Sequence, residues 1–155
     1  MSQPQTGTTV AADADAGRWV SAHVGPSGFR TELLARGHTF AADEPLSLGG
    51  TDAGPTPYEL LLSALSGCTA MTMRMYADRK GFPLESVVVQ MRTARSHEPD
   101  CENCATQKVG INRVERRIEL GGPITEEQRE RLLQIADRCP VKQTLERGFK
   151  IESVP

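Results

Sequence analysis

The longest uncharged stretch of the chain runs from Leu60 to Met73, and its Leu, Ala, Ser, Gly, Thr and Met residues fall on every side of a helical wheel. A helix of that pattern is surrounded by protein. Thr56, Pro57 and Glu59 open it as a capping box with proline at the first helical position. Gly81 and Pro83 close it just after Lys80. The spacing predicts about 24 residues, or roughly 36 Å at ~1.5 Å per residue. Fewer than about 18 uncharged residues, broken by Ser63, Ser66, Gly67 and Thr69, are too few for a membrane span.

Around this helix the pattern changes to a period of two. Trp19–Val24 and Phe29–Leu34 are β-prone runs either side of Gly25-Pro-Ser-Gly28, which predicts a hairpin, and His38–Ala42 adds a third strand. Asp43–Gly54, rich in Gly, Pro and Asp, is loop. After the helix, Val87, Val89, Met91 and Thr93 share one face of a strand, and Val114, Ile118 and Leu120 share one face of the next, with Arg116 as a charged intruder on that side. The opposite face alternates in sign and reads as a solvated sheet surface with cross-strand ion pairs.

Thr125-Glu-Glu-Gln128 is a second capping box, followed by a helix whose apolar positions Leu132, Leu133, Ile135 and Ala136 lead to Cys139. Pro140 ends or kinks it, and Phe149, Ile151 and Ser153 alternate with Lys150 and Glu152 in an expected last strand. This order predicts an α+β fold, with a mostly antiparallel sheet packed on the long central helix and a second helix. One small sheet cannot cover a helix that is apolar all round, so an intertwined homodimer is expected.

Composition narrows the function. Eighteen basic against 20 acidic residues, with aromatics at 5%, lack the basic excess and stacking platforms of nucleic-acid binders. Residues 1–16 are small and polar with no basic n-region or apolar h-segment, so they read as a disordered N-terminal arm, residues 17–155 as a single domain, and the location as cytoplasmic. In that compartment four cysteines point to redox or metal chemistry rather than a disulfide framework.

Cys68 lies within the long helix and reads either as a packing residue or as a reactive thiol. Cys139, followed by Pro140, stands where a new helical turn through Val141–Thr144 would begin, so it is placed to cap that turn beside unpaired N–H groups, which favour a thiolate. His97, Cys101 and Cys104 have metal-ligand spacing in a strand-to-strand loop. Idle loop thiols, a metal site completed by Asp100 or a second subunit, and an accessory redox pair all remain open there. His23 and His38 are lone histidines on short strands and read as structural.

A cysteine within a helix begun by Gly54-Pro-Thr-Pro57, and a second in Cys139-Pro-Val141, resemble the OsmC/Ohr family of osmotically induced and organic hydroperoxide resistance proteins. The similarity covers about residues 19–155 and is densest in Gly49–Thr69 and Leu132–Leu145. The resemblance implies an OsmC-like fold in an intertwined dimer with active sites at its interface, and thiol-dependent reduction of organic hydroperoxides in oxidative-stress defence. It implies Cys68 as the peroxidatic thiol, Cys139 as the resolving thiol, and no cofactor beyond an external dithiol reductant.

An unperturbed thiol is only about 3% thiolate at neutral pH. A guanidinium about 4 Å away, at an effective dielectric near 20, offers on the order of 4 kcal/mol to the anion. In the family an arginine of the N-terminal hairpin, held by a carboxylate at the start of the long helix, serves this purpose. Arg30 is the best match, with Arg18 and Arg36 behind it, and Glu59 matches the carboxylate. The chain departs from the hydroperoxide-resistance branch here, because Tyr58 directly follows Pro57 and Glu59 comes one position later, about 100° round the helix. The other reading is a non-catalytic stress protein of the same fold that binds a small ligand or a metal.

Overall fold

The computed structural model describes residues 19–93 and 113–153. The N-terminal arm, Arg18 and the loop carrying His97, Cys101 and Cys104 lie outside them. The fold is α+β, with two antiparallel sheets and three α-helices among the described residues, and the chain divides into two compact units, Met1–Leu60 and Leu61–Pro155.

In the first unit β1 (Val20–Val24), β2 (Thr31–Ala35) and β3 (His38–Ala42) form an antiparallel meander in the order β1-β2-β3. The expected hairpin is present, with Val24 opposite Thr31. Arg36 and Gly37 both take positive φ in the next turn.

The following loop is organised by Asp43, whose carboxylate is nearly inaccessible. It accepts from the amides of Glu44 (2.8 Å), Thr51 (3.0 Å) and Ala53 (3.1 Å) and from the Thr51 hydroxyl (2.6 Å). The loop is so tight at Gly50 that a Cβ there would stand 1.8 Å from the Glu44 carbonyl oxygen. The Thr51 hydroxyl, opposed by burial and helped by the three amides, brings the Asp43 carboxyl down to about 2. Because the folded value is depressed, this contribution to stability is complete above the usual aspartate range and is lost as pH falls towards 2. Asp43→Asn is expected to lower the melting temperature at pH 7 by at least about 4 °C and to flatten its dependence on pH between about 4 and 2, measured by circular dichroism.

Helix α1 (Pro57–Lys80) has the predicted bounds. Glu59 N–H donates to the Thr56 hydroxyl (3.3 Å), and the Glu59 carboxylate accepts from Thr56 N–H (2.8 Å). At the other end Gly81 takes φ 66°, with Gly81 N–H on Asp78 O and Phe82 N–H on Ala77 O. This is a Schellman stop.

In the second unit β4 (Ser86–Thr93) pairs antiparallel with β5 (Val114–Gly121). The register places Val87 opposite Leu120 and Val89 opposite Ile118, so the apolar faces coincide. On the other face Arg92 is opposite Glu115 and bonded to it at 2.6 Å. Arg113 and then Arg92 hold the Glu115 carboxyl below its ordinary range.

Helix α2 (Glu126–Ala136) begins with the Thr125–Gln128 box, and α3 (Pro140–Arg147) follows a two-residue turn and Cys139. Met73 and Ala77 of α1, Leu84, and Leu132 and Ala136 of α2 form the buried core, with Tyr76, Phe82, Val87, Ile118, Leu120 and Ile124 against it. Arg74 ties α1 to the start of β4 by donating to the carbonyls of Leu84 and Glu85.

Two expectations need correction. The stretch from Phe149 to Ser153 is not a strand. Gly148 turns out of α3 at φ 73°, and among the described strands β4 and β5 pair only with each other, so no neighbour takes the backbone groups of the segment. Leu133, expected on the apolar face of α2, is 41% exposed. The buried stripe is narrower and runs through Leu132, Ile135, Ala136 and Cys139.

Candidate functional site

The two cysteines singled out by the sequence meet in the second unit. Cys68 projects from the middle of α1 and is partly accessible, whereas Cys139, the N-cap of α3, is fully buried. The two thiols are close enough that each shifts the ionisation of the other. The place of Cys139 follows from local structure: the buried stripe of α2 continues to it, and Pro140, at the first position of α3, makes it the residue before a fresh set of free amides.

The surroundings of the two sulfurs differ. Cys68 lies in a helix interior whose own N–H groups are already bonded, and burial followed by the hydrogen bond with Cys139 pushes its thiol up. The Val141 amide and the Thr72 hydroxyl act the other way. Burial also works against ionisation of Cys139, but the hydrogen bond from Cys68, the Lys142 amide, the Thr69 hydroxyl and the Val141 amide outweigh it, and that thiol is lowered. Cys139 holds the N-cap position of α3 without a side-chain capping hydrogen bond. Burial and the neighbouring groups thus raise the Cys68 thiol while the donors around Cys139 lower that one.

Two residues with a role here were not identified from the sequence. The Thr69 hydroxyl, fully buried, donates to Leu65 O at 2.8 Å, and the Thr72 hydroxyl donates to Cys68 O at 2.8 Å. Both carbonyls keep their helical N–H partners, so each hydroxyl is free to turn its one proton to a neighbouring thiolate. The signal was their position one and four residues after Cys68.

Arg30 and Glu59 belong to the first unit. Arg30 is exposed and paired with Glu32 at 3.2 Å. Glu59 serves the cap of α1, where the Thr56 amide, then its hydroxyl, lowers its carboxyl. Arg36 stands in the β2–β3 turn at φ 50°. His23 and His38 are exposed on β1 and β3. No helix among the described residues is long and apolar enough to cross a membrane.

A family model described as OsmC-like protein matches residues 50–154, a span that contains both cysteines. The chain belongs to the OsmC-like family. Among solved structures it is similar to an OsmC-like protein from Mycoplasma pneumoniae, at 19% identity and a TM-score of 0.67 over 82% of this chain and 85% of that one. An OsmC-like protein of unknown function from Vibrio cholerae is 14% identical with a TM-score of 0.67, covering 83% and 92%. An organic hydroperoxide resistance protein from Legionella pneumophila is 19% identical with a TM-score of 0.55, covering 82% and 87%. No curated protein matches the chain. At these identities the likeness establishes the OsmC-like fold.

Proposed function

We propose that this OsmC-like chain is a thiol-dependent peroxidase that reduces organic hydroperoxides, with Cys68 as the peroxidatic and Cys139 as the resolving cysteine. The closeness of the two thiols, each of which shifts the other's ionisation, carries the reading. The Cys68 thiolate attacks one oxygen of ROOH, an S–O bond forms as the O–O bond breaks, and the alkoxide leaves as ROH with a proton. Cys68 is then a sulfenic acid. The Cys139 thiolate attacks that sulfur, the disulfide forms, and the hydroxyl leaves as water. An external dithiol returns two electrons, and no cofactor is needed.

Access supports the assignment, because Cys68 is partly accessible while Cys139 is fully buried. The donors around Cys139 suit a resolving thiolate held ready beside the sulfenic acid. For Cys68 the neighbours within the second unit raise the thiol, so the reading requires a cation to lower it. We assign that part to Arg30, oriented by Glu59, and the rate of alkylation of Cys68 against pH in Arg30→Ala tests it. Equal profiles in parent and variant would remove Arg30 from the site.

We assign the working unit to a homodimer of single OsmC-like domains in the cytoplasm. On α1 Leu61, Ala64, Met71 and Met75 follow one exposed stripe, with Met71 67% and Met75 72% accessible. Phe149 and Ile151 alternate, exposed, in a segment without a strand partner among the described residues. A second copy would bury both features. Sedimentation at micromolar concentration should give a dimer, and a monomer would remove this part of the proposal.

The deciding experiment counts thiols before and after one equivalent of cumene hydroperoxide. Loss of two per subunit supports the peroxidase. Loss of none supports the alternative, a binding protein that keeps the fold without the chemistry.

A further inference from the structure

Arg116 was the one charged residue on the apolar side of β5, and its place is explained by what it touches. Its side chain is about three-quarters buried, at 26% exposure. One guanidinium nitrogen lies 3.0 Å from the Asp137 carboxylate and the other 3.5 Å from the Ala136 carbonyl. Ala136 is the last residue of α2 and Asp137 its C-cap, whose backbone N–H bonds to Ile135 O. The same turn continues through Arg138 N–H on Ile135 O and Cys139 N–H on Ala136 O at 3.4 Å. Lys142, in the first turn of α3, reaches the Asp137 carboxylate from the other side at 3.7 Å and Glu146 at 2.9 Å.

The strand thus holds the end of one helix, and Asp137 links it to the start of the next, across the short turn that carries Cys139. We propose that Arg116, acting through Asp137 and the Ala136 carbonyl, is the positioning residue for Cys139, fixing the break between α2 and α3 so that the amides of Val141 and Lys142 face its sulfur. The proposal rests on Cys139 being a working redox thiol, but its test needs no peroxide and no disulfide.

A positioning role and a simple charge effect predict different signs. If Arg116 and Asp137 acted on the Cys139 thiolate only through their charges, removing the cation would disfavour the anion and removing the carboxylate would favour it. If they act by holding the turn, both losses disfavour it, because the amide donors lose their fixed aim. The measurement is the pH titration of thiolate absorbance near 240 nm in the full chain with Cys68, Cys101 and Cys104 replaced by Ser.

Arg116→Met and Asp137→Ala are each expected to reduce the thiolate-to-thiol ratio of Cys139 at a given pH by about tenfold, one unit in the midpoint. Arg116→Lys, which keeps one contact of the two, should recover part of that loss. Circular dichroism keeps the comparison to folded protein, and Asp137→Ala, at a position 57% exposed, serves if Arg116→Met does not fold. A ratio that rises in Asp137→Ala, or one unchanged in both variants, overturns the proposal. If the titration shifts as expected while the thiol count after cumene hydroperoxide stays constant, the positioning stands and the peroxidase reading falls.

Discussion

Cys68→Ser is expected to lower peroxide consumption by at least about 10⁴-fold, the scale on which loss of a nucleophile acts, whereas Cys139→Ser keeps the first turnover and stops there. In the second variant the sulfenic acid on Cys68 has no neighbouring thiol to condense with, so it persists and can be trapped by a dimedone-type reagent. Two effects compete in this assignment. The donors around the pair favour the thiolate on Cys139, which by population alone would make Cys139 the attacker. Accessibility points the other way, since Cys139 is fully buried and Cys68 partly open.

Access decides, because a thiolate that a peroxide cannot touch has no rate, however large its population. Lowering a thiol from its unperturbed value changes the thiolate fraction at neutral pH by about thirtyfold, from about 3%, and Cys68, which starts raised, has more to gain. Mass spectrometry of the trapped adduct after one equivalent of cumene hydroperoxide checks the order. An adduct on Cys139 in Cys68→Ser, formed at the parent rate, would reverse the two roles. Parent-rate consumption with neither cysteine labelled would move the chemistry to Cys101 and Cys104.

Much of this was legible before the structure because the decisive signals are local. Thr56, Pro57 and Glu59 act on one another within a single turn, and Gly81 on the turn before it, so the bounds of α1 follow from residues within four positions of each end. The hairpin of β1 and β2 and the Thr125–Gln128 cap are local in the same sense. The meeting of Cys68 and Cys139 came from the resemblance, since no periodicity brings together residues so far apart in the chain.

What stayed hidden depends on contacts that patterning does not encode. Arg116 breaks the alternation of β5 because its partners, Ala136 and Asp137, lie on a helix that the strand pattern cannot see. Asp43 is one acidic residue in a polar loop until four donors converge on it. The alternation of Phe149, Ile151 and Ser153 is a true strand pattern without a strand neighbour among the described residues. A period of two gives the faces of a strand and says nothing of its partner.

The second large effect is expected at Leu132. Its side chain is fully buried between the helices, in one cluster with Met73, Ala77 and Ala136. Leu132→Ala removes three carbons from a packed site and leaves a cavity, which costs about 2–5 kcal/mol. Against a total of about 5–15 kcal/mol for a domain, the loss is large enough to shift a urea midpoint by on the order of 1–2 M. Leu133, the next residue, is 41% exposed, and its replacement by Ala should stay within about 0.5 kcal/mol. The contrast tests the narrow stripe of α2 directly, since a helix packed over both leucines would lose comparable stability at each. It also bears on the chemistry. Leu132, Ile135 and Ala136 are the residues that carry the buried stripe of α2 to Cys139, so Leu132→Ala should lower the rate at which the Cys68–Cys139 disulfide closes after oxidation, measured by loss of the second thiol, while the rate of the first oxidation at Cys68 is unchanged. A parent-like midpoint in Leu132→Ala, or equal losses at Leu132 and Leu133, would mean that α2 is not held by this stripe.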